Sequence, residues 1–445
     1  MDEAEACDCP IEAARAANDR PRVVIVGAGF AGLTAAKALK KAPVNVTLID
    51  RRNHHLFQPL LYQVATAGLA PTQIATPIRA IVRDQPDTEV LLGDVTHVDA
   101  KAKIVMMGAR RVPYDYLILA TGARHAYFGH DDWEAFAPGL KTLEDATELR
   151  KRILLSFERA ELEENPEERA RLLTFAVIGG GPTGVEMAGA IAELAIKALA
   201  KDYRRINPQC ARIVLVEAAP RLLGAFPEDL SRHAAEALTK LGVEVRTGEA
   251  VTACDALGVT LGTERIETRC TIWAAGVQSS PVARWLSAKA DRAGRALVGR
   301  DLRAEGHEDI FVLGDCASVM DKDGKPLPGV APVAKQQGAY AAEAIRRAVL
   351  NKEPQGPFVY RDWGILATVG RKSAVADFHG FHLRGFVGWL VWSAAHIYFL
   401  IGFRNRIAVT LDWAWSYLTF ERGARLITGD VMPAPPLREE KRDAA

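Results

Sequence analysis

Two parts of the chain repeat the same order of apolar and small residues. VVIVG (23–27) is an unbroken apolar run that ends in glycine, as expected for a strand buried on both faces. Residues 31–41 follow with helical spacing, and VTLID (46–50) predicts the next strand. The same order returns in residues 175–195, with a partner strand at 212–220. The pattern therefore predicts an α/β fold built on two β-α-β units.

Further apolar runs that end in small residues extend this prediction. Residues 114–123, 271–277 and 309–317 each predict a strand followed by a turn. Between the two β-α-β units, residues 140–154 predict the start of a helix, and residues 158–171 form a charged, helix-like stretch. The two units are the only coarse repeat in the sequence.

The composition is that of a folded chain with several domains. Its 445 residues suggest about two to four domains, and 49% of them are hydrophobic, which is enough to build full cores. With 56 basic and 55 acidic residues, the net charge is +1, so no general basic surface exists to bind nucleic acid. Residues 1–20 are acidic and lack the basic start and apolar run of a secretory signal, which predicts a solvated tail.

The first glycine-rich loop has the spacing of a dinucleotide site. Gly27, Gly29 and Gly32 follow a strand and open a helix. In such loops the first glycine allows the tight turn, the second lets the backbone approach a pyrophosphate, and the third permits close helix–strand packing. Asp50 ends the second strand, where a carboxylate accepts hydrogen bonds from ribose hydroxyls. We expect FAD at this loop.

The second loop has the same context. Gly179, Gly181 and Gly184 lie between a strand and a helix, and Glu217 ends the partner strand. A carboxylate at that position binds free ribose hydroxyls and repels a 2′-phosphate, which favours NADH over NADPH. Arg221 lies only four residues further on, so it weakens this preference. Two nucleotide sites in one chain predict hydride transfer between two nucleotides.

Three further motifs resemble those of the flavoproteins with two dinucleotide-binding domains. In that group, Thr121 and Gly122 correspond to a strand end near the flavin. Gly314 and Asp315 correspond to the turn whose aspartate lies at the flavin ribitol. Gly276, in Ala-Ala-Gly, corresponds to the crossover from the nicotinamide domain back to the flavin domain, and it is expected at the NADH site.

Narrower similarities point to the type II NADH dehydrogenases, the non-proton-pumping NADH:quinone oxidoreductases. HLFQPLLYQVATAGL (55–69), GPTGVEMAGAIAEL (181–194), IGFRNR (401–406) and ERGARLITG (421–429) resemble segments of that family. The resemblance implies hydride transfer from NADH to FAD and two-electron reduction of a membrane quinone. It also implies a homodimer bound peripherally to the cytoplasmic face of the inner membrane.

The resemblance also suggests the catalytic residues, with one departure. Glu186 lies where the family has an active-site carboxylate, near the nicotinamide or the quinone; alternatively, it only satisfies backbone N–H groups at the helix start. The quinone-site pattern Ala-Gln-x-Ala-x-Gln corresponds to residues 331–336. Gln336 matches its second glutamine, whereas Pro332 replaces the first. Gln336 and Lys335 are therefore the candidates in this stretch.

The cysteines argue against a disulfide reductase. Such enzymes need a pair of thiols beside the flavin, but the only close pair here, Cys7 and Cys9, lies in the acidic tail. Cys254, Cys270 and Cys316 are expected to be packing residues. No spacing of histidines, cysteines and carboxylates predicts a metal site. Two alternatives stay open: a different flavin reductase, for sulfide and quinone or for a soluble carrier, and a nucleotide-binding sensor without enzyme activity.

Residues 385–403 contain no charged side chain. As one helix they would measure about 28 Å, close to the roughly 30 Å thickness of a bilayer core. A second segment places Trp413, Tyr417, Phe420, Ala424 and Ile427 on one face of a predicted amphipathic helix. We expect this region to lie in the membrane interface; a single spanning helix and a buried dimer core are the alternatives.

These motifs predict a division of the chain. An FAD domain covers residues 21–138 and 276–350, and an NADH domain covers residues 139–275. A C-terminal region for membrane binding or dimerisation covers residues 351–430. The tails are residues 1–20 and 431–445.

Overall fold

The computed structural model describes residues 19–429. Nearly all of the two predicted tails, together with Cys7 and Cys9, lies outside this range. The helices of the described range are Phe30–Ala38 (α1), Leu61–Ala65 (α2), Pro71–Ile74 (α3), Ile78–Val82 (α4), Leu143–Leu162 (α5), Pro166–Leu172 (α6), Pro182–Glu193 (α7), Glu228–Lys240 (α8), Val282–Trp285 (α9), Ala331–Val349 (α10), Gly385–Phe399 (α11) and Phe403–Thr419 (α12).

The strands are short, between two and six residues long. Those of the described range are Arg22–Val26 (β1), Asn45–Asp50 (β2), His54–Leu56 (β3), Ala75–Pro77 (β4), Thr88–Leu92 (β5), His97–Asp99 (β6), Ile104–Met107 (β7), Arg110–Pro113 (β8), Tyr116–Leu119 (β9), Ala123–His125 (β10), Thr174–Ile178 (β11), Arg212–Glu217 (β12), Val243–Thr247 (β13), Val251–Asp255 (β14), Gly258–Leu261 (β15), Glu264–Glu267 (β16), Cys270–Trp273 (β17), Val277–Ser279 (β18), Ala296–Leu297 (β19), Ile310–Val312 (β20), Ala317–Ser318 (β21), Ile365–Gly370 (β22), Ser373–Phe378 (β23) and Phe381–Arg384 (β24).

The first compact unit contains the described parts of residues 1–57, 75–129 and 276–364. Its centre is a parallel sheet of five strands in the order β20-β9-β1-β2-β5. Four apolar residues of β1 are fully or almost fully buried, because this strand has neighbours on both edges. Helix α10 crosses α1 so closely that a Cβ added at Gly338 would lie 2.2 Å from the Ala31 carbonyl oxygen.

The second unit contains residues 58–74, 130–275 and the described part of 365–445. A parallel sheet in the order β13-β12-β11-β17 forms its centre, and every residue of β11 is buried. These two parallel sheets confirm the predicted α/β fold with two Rossmann-like units. The predicted limits of the FAD, NADH and C-terminal domains stay a prediction.

An antiparallel sheet of β22, β23 and β24 covers α7 in the second unit. Gly189 makes this possible, because a Cβ there would lie 2.0 Å from the Val369 carbonyl oxygen. The chain then continues into α11 and α12, which pack through the aromatic pairs Trp392–Trp413 and Trp389–Tyr417.

The uncharged run 385–403 forms a helix of 15 residues that ends at Phe399. The chain turns at Gly402, with a φ of 91°, and starts α12. Within residues 19–429, no helix combines the length and the apolar character needed to cross a bilayer.

The amphipathic pattern predicted for residues 413–427 is wrong in two respects. The helix ends at Thr419, because Phe420 adopts a left-handed φ of 66°. The face with Trp413 packs inward, with Trp413 only 9% exposed, whereas Trp415 on the opposite face is 60% exposed. The periodicity identified a helix, but the buried stripe covers the protein itself.

Candidate functional site

The first glycine loop has the geometry that its spacing predicts. Gly27 has a φ of 99°, and a Cβ there would lie 2.3 Å from the Ala120 carbonyl oxygen. A Cβ at Gly32 would lie 1.8 Å from the Gly27 carbonyl oxygen, so α1 packs against the turn itself. In contrast, apart from Gly29 and its chain neighbours, no atom of residues 19–429 lies within 4 Å of a Cβ built on Gly29. The second glycine therefore faces open space at the start of α1, where a pyrophosphate fits.

Asp50 is held in place beside this loop. Its carboxylate accepts hydrogen bonds from Ala28 N at 2.6 Å and Arg52 N at 2.7 Å. Both bonds orient the carboxylate at the carboxyl end of β2, which is the position of a ribose-binding acid in this type of fold. The residues present at this loop fit the dinucleotide part of FAD.

The second loop reproduces each of these features in the second unit. Gly179 has a φ of 110°, and a Cβ there would lie 2.7 Å from the Ala274 carbonyl group. A Cβ at Gly184 would lie 1.7 Å from the Gly179 carbonyl oxygen. Apart from Gly181 and its chain neighbours, no atom of the described part of the chain lies within 4 Å of a Cβ on Gly181. The loop therefore offers a second open cradle at the start of α7.

Glu217 takes the position that Asp50 has in the first unit. Its carboxylate accepts hydrogen bonds from Gly180 N at 2.5 Å and Ala219 N at 2.7 Å. Arg221 points elsewhere: its guanidinium donates to the carbonyl oxygens of Phe226, at 2.7 Å, and Gly224, at 2.8 Å. These two hydrogen bonds hold the Arg221 guanidinium against the turn that contains Gly224 and Phe226.

The other predicted flavin residues lie at the ends of neighbouring strands in the first unit. Thr121 and Gly122 follow β9, and the Thr121 hydroxyl hydrogen-bonds to that of Ser280. Gly314 and Asp315 follow β20, which pairs with β9. Parallel strands that are neighbours end at the same edge, so the sheet brings these two turns together.

Sequence reasoning missed Gln337, which supports the second of these turns. It is 1% exposed, and its side-chain oxygen accepts a hydrogen bond from Gly314 N at 2.6 Å. The side chain of the neighbouring Gln336 points to another segment: it donates to Arg361 O at 2.8 Å and accepts from Arg361 N at 2.9 Å. Helical geometry separates adjacent residues by about 100°, so only one of the two glutamines can face the turn.

Gln336 and Lys335 lie on α10, with Lys335 partly buried. Gly276 has a φ of 75°, and a Cβ there would lie 2.5 Å from the Phe128 ring. That turn therefore depends on glycine. The roles predicted for these three residues stay predictions.

Glu186 lies on the fifth position of α7, one turn beyond the second glycine loop. Its carboxylate accepts a hydrogen bond from Thr368 N of β22 at 3.4 Å, so a strand, and not the helix start, provides its N–H partner. Burial raises the pKa of Glu186 to about 8, and this backbone hydrogen bond opposes the rise only in part. At neutral pH the carboxyl group is therefore mostly protonated.

A polar cluster that the sequence did not reveal surrounds the far end of α7. The Arg422 guanidinium lies 3.5 Å from the Glu193 carboxylate, with side-chain exposures of 12% and 18%, and it donates to Thr66 O at 2.7 Å. The backbone N–H of Arg371 also donates to Glu193. The ERGARLITG segment therefore ties α7 to residues 62–66. No local sequence pattern predicts such contacts, because the residues that form them are far apart in the sequence.

The three cysteines that were expected to be packing residues are buried, whereas Cys210 is exposed. Cys254, Cys270 and Cys316 are buried, and burial raises the pKa of all three thiols, to about 11 for Cys254 and about 12 for Cys270. Buried thiols of high pKa are poor nucleophiles. Within residues 19–429, no three metal-binding side chains come together.

Comparison with known proteins identifies the family. Residues 21–338 match the family described as pyridine nucleotide-disulphide oxidoreductase, and residues 363–422 match the NDH2 C-terminal domain. The type II NADH:quinone oxidoreductase Ndh of Mycobacterium tuberculosis is 46% identical, over 92% of this chain and 90% of that protein. The chain belongs to the type II NADH:quinone oxidoreductases. The enzyme therefore carries FAD, oxidises NADH and reduces a quinone without pumping protons.

Other similarities agree with this family. The related NdhA of the same organism is 45% identical, over 94% of this chain and 92% of that protein. A structure of NDH2 from Plasmodium falciparum in complex with NADH has the same fold, with a TM-score of 0.83 at 21% identity; the match covers 92% of this chain and all of that one. A sulfide:quinone oxidoreductase from Aquifex aeolicus shares the fold with a TM-score of 0.70 at 19% identity, over 87% and 92% of the two chains. That lower similarity extends to the fold alone.

Proposed function

We propose that the two glycine loops divide the nucleotides between the two compact units. Gly27, Gly29, Gly32 and Asp50 hold FAD, and Thr121, Gly122, Gly314 and Asp315 complete its site. Gly179, Gly181, Gly184 and Glu217 hold NADH in the second unit. A role for Gly276 at the NADH site is proposed from the family resemblance alone. Bound FAD accepts a hydride and passes two electrons to the quinone. The observation that carries this assignment is the matched geometry of the loops, each with an open second glycine and a carboxylate fixed by a loop N–H.

We propose that the carboxyl group of Glu186 is a proton donor in quinone reduction. Reduction of a quinone to a quinol takes two electrons and two protons, so a neutral carboxyl group near the acceptor is useful. A pKa of about 8 keeps Glu186 protonated at neutral pH, close to the pKa at which an acid–base group works best. Lys335 and Gln336 are proposed as contacts of the flavin or the quinone; the Gln336 amide also fixes the backbone at Arg361.

An anaerobic spectroscopic experiment tests the assignment. NADH should bleach the flavin absorption of the purified enzyme, and a short-chain quinone should restore it. The variant Gly29→Val should lose FAD, because its side chain fills the space that the pyrophosphate needs. Gly356→Val is the matched control, since no atom of the described residues beyond its chain neighbours lies within 4 Å of a Cβ there and the residue is remote from the loop in sequence. Retained FAD in Gly29→Val, or a flavin that NADH leaves unbleached, would contradict the proposal.

We further propose that α11 and α12 bind the membrane surface. Both helices expose large apolar side chains, with Phe386, Tyr398, Phe403, Leu411 and Leu418 between 53% and 80% exposed. An exposed apolar patch of this kind is typical of an interaction surface. Arg384, Arg404 and Arg406 flank the patch, which supports binding to an anionic leaflet such as the cytoplasmic face of the inner membrane. The family resemblance supports a homodimer, which sedimentation in detergent tests.

Vesicle binding tests the membrane surface. The double variant Leu411→Asp/Leu418→Asp should bind vesicles of neutral and anionic lipid at least tenfold more weakly, because each exposed leucine contributes about 1.5–3 kcal/mol when it is buried. Leu257→Asp is the control, because Leu257 is 57% exposed on the hairpin of β14 and β15. Equal sedimentation of all three proteins with vesicles would refute this surface.

A further inference from the structure

Three side chains of the second unit form a hydrogen-bonded chain that the proposed roles leave unused. Trp413 on α12 donates from Nε1 to Oε1 of Gln63, at 2.8 Å. Gln63 donates from Nε2 to the hydroxyl oxygen of Tyr62, at 2.9 Å. Tyr62 is only 7% exposed, and Trp413 9%. Buried side-chain hydrogen bonds of this kind satisfy polar groups and hold them in fixed orientations.

The chemistry of tryptophan gives this chain a single direction. An indole N–H can only donate, so the Gln63 oxygen must face Trp413. The amide nitrogen of Gln63 must then face Tyr62, and the Tyr62 oxygen accepts. The Tyr62 O–H proton consequently points away from Gln63. Within residues 19–429, no protein oxygen or nitrogen accepts that proton in a hydrogen bond.

A buried donor without an acceptor is costly, typically about 1–3 kcal/mol, unless a bound water or a ligand provides the acceptor. Tyr62 lies on α2, which packs against α7, the helix that carries Glu186. Burial, followed by the charge of Glu186, raises the pKa of Tyr62 well above its usual value. Its hydroxyl group therefore keeps its proton and acts as a donor at every physiological pH.

We propose that Tyr62 donates a hydrogen bond to a carbonyl oxygen of the quinone, and that Gln63 and Trp413 are positioning residues that aim its hydroxyl. This inference rests on the proposed acceptor site near Glu186. Negative charge grows on the quinone oxygen as the two electrons arrive. A pre-oriented donor stabilises that charge without reorganising. Tyr62 transfers no proton in this role, so both protons of the quinol come from other groups.

Two isosteric substitutions remove the donor in different ways. Tyr62→Phe deletes the hydroxyl group. Gln63→Glu keeps the tyrosine but replaces the amide donor with a carboxylate, which accepts from both Trp413 and Tyr62 and so turns the Tyr62 proton away from the ligand. Tyr203→Phe is the matched control, because that hydroxyl donates to Glu158 elsewhere in the unit.

Stopped-flow spectroscopy of the full-length enzyme with FAD bound separates the two half-reactions. We expect both variants to be reduced by NADH at the wild-type rate, and to be reoxidised by a short-chain quinone roughly 10- to 100-fold more slowly. The dissociation constant of that quinone for the oxidised enzyme, measured by calorimetry, should rise about tenfold in both. Tyr203→Phe should change neither quantity.

Each other outcome has a distinct meaning. Wild-type reoxidation and quinone affinity in Tyr62→Phe would overturn the inference while leaving quinone reduction intact. An equal loss in both half-reactions would show a structural role and would also overturn it. If the wild-type enzyme itself were not reoxidised, the proposed function would fail instead. Should Tyr62→Phe lose its FAD, Gln63→Glu still decides the matter.

Discussion

The buried carboxyl group of Glu186 should make the stability of the enzyme fall as pH rises. Below pH 4.5, the ordinary pKa of a glutamate, this group is protonated in both the folded and the unfolded chain. Between pH 4.5 and about 8, only the folded chain keeps the proton. The unfolded chain binds fewer protons over this range, so the free energy of unfolding decreases as pH rises.

The size of the effect follows from the width of that range. Each pH unit costs about 1.4 kcal/mol, so Glu186 should lower the free energy of unfolding by about 3 kcal/mol at pH 7 and about 5 kcal/mol above pH 8. Glu186→Gln has the same shape and does not titrate. We expect it to unfold at a higher temperature than the wild type at pH 8.5, with the difference shrinking towards pH 5.

Thermal unfolding of both proteins with FAD bound, followed by circular dichroism across this pH range, measures the difference. Glu343→Gln is a control of opposite sign. The Arg346 guanidinium holds the pKa of the Glu343 carboxyl below its usual range, so the charged carboxylate stabilises the fold. Replacing this carboxylate in Glu343→Gln should therefore cost a little stability above pH 4.5. A difference between Glu186→Gln and the wild type that is equal at pH 5 and pH 8.5 would refute the reasoning.

Three further predictions concern the nucleotide sites and the C-terminal segment. Gly338→Ala should lower FAD content and melting temperature, because its methyl group would meet the Ala31 carbonyl oxygen at 2.2 Å; unchanged absorption per chain would contradict this. Glu217→Ala should raise the KM for NADH about tenfold and lower that for NADPH, and equal shifts in steady-state assays would argue against its ribose role. Arg422→Met should destabilise the enzyme by about 3 kcal/mol, because the buried Glu193 loses the guanidinium of Arg422 and keeps only the backbone N–H of Arg371 as a hydrogen-bond donor. Adding Glu193→Gln should recover most of this loss in chemical unfolding, and no recovery would refute the pairing.

The glycine loops could be predicted from the sequence because their requirements are local. Gly27 and Gly179 have a positive φ, and Gly32 and Gly184 pack too closely for a side chain. Each position therefore requires glycine, at a fixed place in the motif. Asp50 and Glu217 lie next to these loops because each ends a strand that pairs in parallel with the strand before the loop. The same reasoning predicted the α/β fold, since buried parallel strands are continuous apolar runs.

The remainder of the candidate site depends on contacts that leave no local pattern. Residues 336 and 337 are both glutamines, and only the rotation of α10 determines which of them faces Gly314. A stripe of aromatic residues on α12 has the same spacing whether it faces lipid or protein, and Trp413 packs inward because it has α11 and Gln63 as partners. Arg422 sits among charged residues of a segment that resembles any solvated turn.

The hydrogen bonds between residues 62–66 and the C-terminal segment can form only late in biosynthesis. Gln63 and Trp413 are 350 positions apart, and Thr66 and Arg422 are 356 apart. At about 5–20 residues per second, a ribosome needs roughly 20–70 s to travel between them. During that time Gln63 and Thr66 have no C-terminal partner. Helix α12, which provides Trp413, also exposes the large apolar side chains of Leu411 and Leu418. Residues 403–422 therefore complete the second unit after the strands of both parallel sheets have been synthesised, and the proposed membrane surface forms with them.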